Sequence, residues 1–298
     1  MNQTSSPPRI HPRTQPPGLQ LASQPARAGL FQPVEQPALV LCALGLFGIG
    51  VLALVYGDFA LVWQPVAPWF PGRTALAYLT GALEVATAIG LLFRATSRWA
   101  VRILLPGVVL WQLLKVPDLF AAPTVEGSYL SFGETAILLA GAWTLFAKLA
   151  DLAPGSPFAF LTTARSLRLA RLYLGLWIIP IGLSHIVYHE ATVLLIPAWI
   201  PNRLFFAYLT GAGQIASGLG LLFNVLPRAA AYAEAAQLWI YTFLLWIPAV
   251  LYGPSADVQA VFGASSGARM PWTALLVTWF PAACALAVAQ NTPEKSHS

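Results

Sequence analysis

Charged side chains are scarce in this sequence of 298 residues, since Asp, Glu, Lys and Arg together make up only 9% of it. Soluble domains carry about 25% of such residues, so the composition excludes a soluble domain with an ordinary hydrated surface. Hydrophobic residues instead account for 57% of the chain, and the mean hydropathy is +0.67. The sequence therefore predicts an integral membrane protein.

Cysteine is also scarce, because Cys42 and Cys284 stand alone in apolar segments without a CxxC pair. This arrangement favours two inert buried thiols over a dithiol redox centre. The chain has no nucleotide-binding loop, catalytic triad, cofactor fingerprint or dense ligand cluster, so we do not expect an autonomous enzyme. Its net charge of +5 comes from basic residues that occur singly between apolar segments, which argues against a nucleic-acid partner.

Eight apolar segments have close to the roughly 20 residues that a helix needs to cross about 30 Å of hydrocarbon. They lack the alternation typical of barrel strands, so transmembrane helices are predicted over 38–56, 74–93, 98–116, 131–150, 170–188, 203–223, 229–252 and 271–289. Three contain an internal proline that predicts a kink: Pro106, Pro180 and Pro248. Proline-rich residues 1–37 predict a disordered cytoplasmic tail, and residues 290–298 predict a polar C-terminal tail.

The distribution of Lys and Arg predicts the orientation, because cytoplasmic loops carry an excess of both. With the N-terminus inside, the outer side carries four: Arg73, Lys115, Arg203 and Arg269. The inner side then carries twelve: Arg9, Arg13, Arg27, Arg94, Arg98, Arg102, Lys148, Arg165, Arg168, Arg171, Arg228 and Lys295. We therefore predict that both termini are cytoplasmic in a bacterial inner membrane.

An internal repeat divides the chain into two halves. Shifting the sequence by 130 residues aligns 69–93 with 199–223, matching Trp, Pro, Arg, Tyr and Thr positions that composition alone would not match. The fold class expected is therefore an all-α membrane protein of two parallel four-helix repeats, 38–150 and 170–289, joined by the loop 151–169.

The repeated segments carry a pattern of known type. The second half reads Gly182-Leu-Ser-His185 and then Gly218-Leu-Gly-Leu-Leu-Phe223, while the first half has Gly81-Ala-Leu-Glu84. This resembles the DoxX-like family of small four-helix membrane proteins, in which a first helix ends in Gly-x-x-His or Gly-x-x-Lys and a second carries Gly-x-x-Glu. Gln214 replaces the family glutamate in the second half, and Val55 takes the place of His185 in the first. The resemblance implies an association with membrane redox complexes, including quinone-linked sulfur oxidation.

Glu84 is the least conventional residue, because an acidic side chain near the middle of a membrane helix is costly unless it faces the bundle interior. No Lys or Arg lies at its depth, so a protonated, hydrogen-bonded carboxyl is expected. It shares a helix face with small residues, and its counterpart Gln214 does so too: the two stripes are Ala77, Gly81, Glu84 and Ala88, and Ala207, Gly211, Gln214 and Gly218. Two readings stay open, a packing contact and a site that binds a ligand or handles protons.

Other polar residues allow a functional and a structural reading. His185 and His189 share a helix face, where a metal pair is conceivable but a hydrogen-bonded helix end is the simpler interpretation. Glu234 and Gln237 are expected to pair with inner arginines. His185 could also join an outer pocket with Gln112, Lys115 and Glu134. The full set of candidate ligand-binding residues is Glu84, Gln214, Thr80, Thr210, Tyr78, Tyr208, His185, Arg73 and Arg203.

Three functions follow from these observations. The first is a membrane component that binds a lipophilic small molecule in a redox-associated complex, with a quinone suggested by the resemblance and a soluble or membrane redox partner. Any catalytic role would then be that of an accessory subunit of a quinone-linked oxidoreductase. The second is a small-molecule transporter or permease. The third is a non-catalytic scaffold for partner enzymes in the lipid bilayer.

Overall fold

The computed structural model describes residues 35–60, 63–263 and 269–293. Eight of the helices in these ranges are long and apolar enough to cross a membrane, which confirms the predicted all-α class and the eight segments. The predicted N-terminal tail falls almost wholly on residues 1–34, outside the described residues, and residues 294–298 of the predicted C-terminal tail also lie outside them.

The helices follow one another with short connections. They are α1 Pro37–Tyr56, α2 Arg73–Leu91, α3 Arg94–Leu114, α4 Val116–Ala121, α5 Glu126–Leu149, α6 Ala164–Val187, α7 His189–Leu195, α8 Arg203–Leu222, α9 Pro227–Tyr241, α10 Ile247–Tyr252, α11 Ala256–Phe262 and α12 Arg269–Gln290. Helices α3 and α4 form one span, as do α9, a π-helical turn at Thr242–Trp246 and α10.

Three helices begin four to six residues earlier than predicted, at Arg94, Glu126 and Ala164. Sequence reading started each segment at its apolar run, whereas a polar first turn extends the helix beyond that run. At α6 the extension has a clear cause, because Thr163 caps the helix by accepting a hydrogen bond from the Ser166 amide at 3.2 Å.

Prolines inside the spans do not end them. Helix α3 continues through Pro106 and α6 continues through Pro180. A π-helical turn precedes Pro248, as expected where a residue without an N–H crowds the preceding turn. Helix α12 also continues through Pro281, a proline that sequence reading missed.

The last helix of each half packs against the first helix of the other half, an arrangement that we call the exchange of helices. Helix α1 packs against α2 and α12, whereas α5 packs against α3, α6 and α12. Trp279 on α12 donates its indole hydrogen to the Leu41 carbonyl oxygen on α1 at 2.9 Å, and Phe132 on α5 packs against Trp177 on α6 with ring centroids 4.2 Å apart. Helices from both halves therefore contribute to the cavity described below.

Close helix crossings occur at matching glycines. A Cβ atom on Gly50 of α1 would lie 2.7 Å from the Gly81 carbonyl oxygen on α2, and one on Gly182 of α6 would lie 2.6 Å from the Gly211 carbonyl oxygen on α8. Both distances are too short for a side chain, so only glycine allows these backbones to meet.

The two cysteines are buried, as predicted, and they lie next to each other although they are far apart in the sequence. The Sγ atoms of Cys42 on α1 and Cys284 on α12 are 3.9 Å apart, and both side chains are fully buried. Both are free thiols. A Cβ on Gly141 of α5 would collide with Cys284, so glycine lets α5 and α12 approach closely here. Sequence reading could not bring together residues at opposite ends of the chain.

Candidate functional site

A cavity of about 400 Å³ lies in the first half of the chain. Its walls come from α1, α2, α3 and the segment 63–70, which we call the cavity loop. Leu138 of α5 and Phe280 of α12 complete the inner wall, so the exchanged helix contributes to it. The volume falls within the range of about 300–1,000 Å³ that is typical of small-molecule sites.

Glu84 lines this cavity and bonds to the cavity loop. Gln64 donates its amide hydrogen to Glu84 Oε1 at 2.5 Å, and the Ala60 amide donates to Gln64 Oε1 at 2.8 Å. Glu84 is 9% exposed and Gln64 is 3% exposed. The loop therefore folds over α2 and holds one oxygen of the carboxyl group.

Three buried polar atoms in the cavity wall have no hydrogen-bond partner among the described residues. They are Glu84 Oε2, Thr87 Oγ1 and Trp63 Nε1. Buried polar atoms are nearly always paired, since an unpaired one costs about 1–3 kcal/mol. The three atoms belong to residues that line one mostly apolar cavity.

In the second half, which we call the filled half, polar side chains occupy the corresponding positions and bond to their neighbours. His185 Nδ1 lies 2.8 Å from Thr210 Oγ1, and the His185 ring lies 5.9 Å from the Tyr241 ring. Gln237 donates to the Thr210 carbonyl oxygen at 2.9 Å and to the Tyr241 hydroxyl at 2.6 Å. Gln237 thereby ties α9 to α8.

The acid and the amide exchange roles between the halves. In the second half Gln214 of α8 donates to Glu234 Oε1 of α9 at 3.2 Å, and both residues are fully buried. In the first half the acid is on the second helix, as Glu84, and the amide is on the cavity loop, as Gln64. Gln214 thus bonds to Glu234 and Glu84 bonds to Gln64, although the repeat aligns Gln214 with Glu84.

Comparing equivalent positions shows what opens the first half. Gly107 lines the cavity, and a Cβ added to it would meet nothing within 4 Å. Its counterpart at the 130-residue offset is Gln237. The counterpart of His185 is Ala53 rather than Val55, because Ala53 contacts Gly81 as His185 contacts Gly211. Small residues therefore stand in the first half where the second has hydrogen-bonding side chains.

Arg73 and Arg203, two of the candidate ligand-binding residues, pair with acids near the helix ends. Arg73 pairs with Asp58, and Arg269 donates to the same carboxylate at 2.9 Å. Arg203 pairs with Asp257 at 2.7 Å. Arg73 also donates to the carbonyl oxygen of Val66 at 3.2 Å, so this cluster fixes the cavity loop.

The pKa of Asp58 reflects this cluster. Partial burial acts to raise the pKa of the carboxyl, but hydrogen bonds from Arg269 and the Phe59 amide, with the charges of Arg269 and Arg73, bring it below its ordinary value of 3.8. The carboxylate is thus held in its charged form by two cations.

Of the remaining candidates, Tyr78 and Tyr208 lie apart from the cavity. Tyr78 is 46% exposed beside Gly57, and Tyr208 stacks on His189 with ring centroids 5.9 Å apart. Thr80 lines the cavity together with Glu84. The structure therefore brings only Glu84 and Thr80 of the candidate set to the cavity wall, while His185, Thr210 and Gln214 belong to the filled half.

Two predicted groupings are not formed. Gln112 donates to the Phe132 carbonyl oxygen at 3.2 Å and Lys115 bonds to Ser131, so these residues contact α5 while His185 contacts α8 and α9. The prediction that Glu234 and Gln237 pair with inner arginines is wrong. Glu234 and Gln237 bond within the second half instead. The arginines bond at the helix ends: Arg98 to Asp151, and Arg102 to the carbonyl oxygens of Ala150 and Asp151.

Sequence reading missed Trp63 and Gln64 of the cavity loop. Their signal was a glutamine between tryptophan and proline inside an apolar stretch, Trp63-Gln-Pro65. A polar residue in such a stretch needs a buried partner, as Glu84 does.

Within the described residues no three His, Cys, Asp or Glu side chains are grouped as a metal site would require. No protein-family model, curated protein or solved structure was found to match this chain.

Proposed function

We propose that this chain is a multi-pass membrane protein that binds a lipophilic small molecule in the cavity of its first half. The observation that carries the proposal is Glu84 Oε2, a buried carboxyl oxygen in a cavity wall without a hydrogen-bond partner in the described ranges. A carboxyl group placed there for packing alone would leave half of its hydrogen-bonding capacity unused, at a cost in stability.

The character of the wall supports a mostly apolar ligand. Trp63, Trp111, Phe70 and Phe280 supply aromatic surface, and leucine, isoleucine and valine side chains supply most of the rest. A few polar groups in an apolar wall are what orients a small molecule in a binding site. The cavity therefore suits a ligand with an apolar body and one polar end.

The arrangement in the membrane is part of the same proposal. The two halves form parallel repeats about an axis along the membrane normal, with both termini in the cytoplasm of a bacterial cell. The matching glycine crossings at Gly50 and Gly182 support the repeat, and the excess of Lys and Arg in the inner loops supports the orientation.

The resemblance to DoxX-like proteins suggests the setting. It puts a quinone first among lipophilic ligands and a redox complex first among partners. On this view the chain presents the molecule to an oxidoreductase and does not itself carry out the reaction, since its polar groups provide hydrogen bonds and no redox centre of their own.

The test is to purify the protein with its native lipids and identify retained small molecules by mass spectrometry. Wild type should retain a defined lipophilic compound, and Glu84→Ala should retain at least about tenfold less. Gln237→Ala, a truncation of similar size in the filled half, serves as the matched control and should retain the compound. Equal retention by the two variants would place the ligand elsewhere.

The alternatives predict different outcomes of companion measurements. Solute flux in proteoliposomes, with no retained compound, would favour a transporter. A stable soluble partner that co-purifies with neither flux nor a compound would favour a scaffold. Either result would overturn the binding proposal.

A further inference from the structure

The cavity has one exposed side. Its walls at α1, α5 and α12 are buried, with Leu46, Leu138 and Phe280 at most 5% exposed. On the side of α2 and α3, by contrast, lining residues reach the surface, since Leu83 and Leu110 are each 52% exposed. The cavity therefore reaches the surface of the bundle between α2 and α3.

The opposite half shows how such a gap is closed. Gln237 of α9 bonds to the Thr210 carbonyl oxygen of α8 at 2.9 Å, and a Cβ on Gly213 of α8 would lie 2.8 Å from Gln237 Oε1. Gly107 stands at the equivalent position of α3 with open space around it. The gap between α2 and α3 is thus open because no side chain at this position bridges it.

The rim of the gap is suited to hydrocarbon. The exposed lining residues of α2 and α3 are leucine and isoleucine: Leu76, Leu83, Ile103, Leu110 and Leu114. Both helices are long and apolar enough to cross a membrane, so in a bilayer this rim would face lipid chains rather than water. A ligand using this opening would come from the lipid phase.

The polar atoms of the wall define the head group. Trp63 Nε1 can only donate, so its partner must be an acceptor. Gln64 already donates to Glu84 Oε1, which leaves Oε2 free to donate when the carboxyl is neutral. Thr87 Oγ1 can donate or accept. A hydroxyl oxygen can accept from Trp63 and Glu84 and donate to Thr87, and a carbonyl oxygen can accept from Trp63 and Glu84, whereas an ammonium group offers no acceptor to Trp63.

The charge of the wall excludes an anionic head. Among the described residues that line the cavity, Glu84 is the ionisable one. A carboxylate or phosphate head would be buried beside another acidic group without a cation, an arrangement that is strongly unfavourable in an apolar site.

We infer that the cavity receives the uncharged, oxygen-bearing head of a molecule dissolved in the bilayer, which enters between α2 and α3 while its chain stays among the lipids. This inference rests on the proposed binding function and specifies the class and the route of the ligand. It makes Gly107 the residue that keeps the route open, and Glu84 with Trp63 the pair that selects the head.

The test uses photoactivatable amphiphiles with one saturated chain and a diazirine next to the head, added to liposomes that contain the full chain. The heads are an alcohol, a methyl ketone, a carboxylic acid and a primary amine. Peptide mapping by mass spectrometry should find alcohol and ketone probes on the cavity loop and on α2 around Glu84, at least about tenfold above the acid and the amine. A diazirine at the chain end should label the rim residues of α2 and α3 instead.

Gly107→Gln should reduce labelling by the alcohol probe at Glu84 at least about tenfold, because the new side chain can bridge α2 as Gln237 bridges α8. Leu113→Gln is the matched control, because it adds the same side chain to α3 at an exposed position outside the cavity wall. Equal labelling of Glu84 in both variants would overturn the route. Stronger labelling by the amine or the acid would overturn the head class.

The failure of this inference differs from failure of the binding function. If the protein retains a native compound but none of the probes labels the cavity, the class and route are wrong and binding stands. If neither a native compound nor any probe is found there, the proposed function falls as well.

Discussion

The two halves share a helix framework but use their interiors differently. In the first, Gly107 and Glu84 line a cavity, whereas in the second His185 and Gln237 both bond to Thr210. On the proposed function, the first half would hold the ligand and the second would serve as packed structure.

The exchange of helices surrounds the cavity of the first half with a helix of the second half. Because α12 of the second half supplies Phe280 to the cavity and packs against α1, the packed half supports the open one. The free energy lost by leaving a cavity is roughly 24 cal/mol per Å³ in soluble proteins, so a space of this size needs a firm surrounding.

The largest expected effect tests the contact between α1 and α12 that the exchange of helices creates. Since the Sγ atoms of Cys42 and Cys284 are 3.9 Å apart, a short thiol-specific cross-linker should join α1 to α12 within one chain. After proteolytic cleavage in the loop 151–163, the cross-linked halves should migrate together on a denaturing gel, and Cys42→Ser should separate them. Halves that separate without that substitution, although mass spectrometry shows that both thiols have reacted with the reagent, would mean that α1 and α12 are not neighbours.

Truncating the buried glutamate to alanine should lower the free energy of unfolding more in the filled half than in the first half. Glu234→Ala leaves a fully buried Gln214 amide without a partner and creates a cavity, so we expect a loss of about 2–4 kcal/mol in the free energy of unfolding. Glu84→Ala enlarges an existing cavity and frees Gln64, for which we expect about 1–2 kcal/mol.

Denaturant unfolding in detergent, compared with wild type, measures this difference. Equal losses, or a larger loss for Glu84→Ala, would show that the first half is packed as tightly as the second.

Replacing Glu84 with Gln separates packing from recognition. The substitution keeps the size and a hydrogen-bond donor but removes the acid proton, so the free energy of unfolding should change by less than about 1 kcal/mol. Ligand retention should fall about tenfold, because the amide presents a different donor and acceptor pattern to the head group. A Glu84→Gln protein that retains the compound as wild type does would reduce Glu84 to a packing residue.

The smallest effect is the pH dependence of the Asp58 cluster. Because the pKa of Asp58 is lower in the folded protein, the cluster contributes stability above its ordinary value of 3.8 and loses it as pH falls through the folded value. Partial exposure limits the effect to less than about 1 kcal/mol. Asp58→Asn should flatten the stability profile between pH 5 and pH 3, in roughly the range set by that shift. An unchanged profile would mean that Asp58 does not hold the cavity loop by its charge.

Much of the framework was predictable from the sequence, and the reasons are local. The eight spans follow from length and hydropathy, and the stripe of Ala77, Gly81, Glu84 and Ala88 follows from helical spacing, as the burial of all four confirms. Each of these depends only on residues within about one helix, where periodicity is informative.

The residues that form the candidate site could not be brought together from the sequence without the fold. Gln64 reaches Glu84 because a loop turns back over α2, and nothing in the spacing of the two residues indicates this. The exchange of α5 and α12 was also hidden, since both helices have apolar compositions that suit either partner. Gly107 became meaningful only beside Gln237, when the structure showed one bridging two helices and the other facing open space.

The central claim is that the first half, and not the second, holds the ligand, and a reciprocal pair of substitutions tests it most directly. Gly107→Gln gives the first half the side chain of the second, and Gln237→Gly does the reverse. Mass spectrometry of both proteins, purified with native lipids, should find the lipophilic compound in Gln237→Gly as in wild type and at least about tenfold less in Gly107→Gln. Retention by Gly107→Gln together with loss in Gln237→Gly would contradict the account.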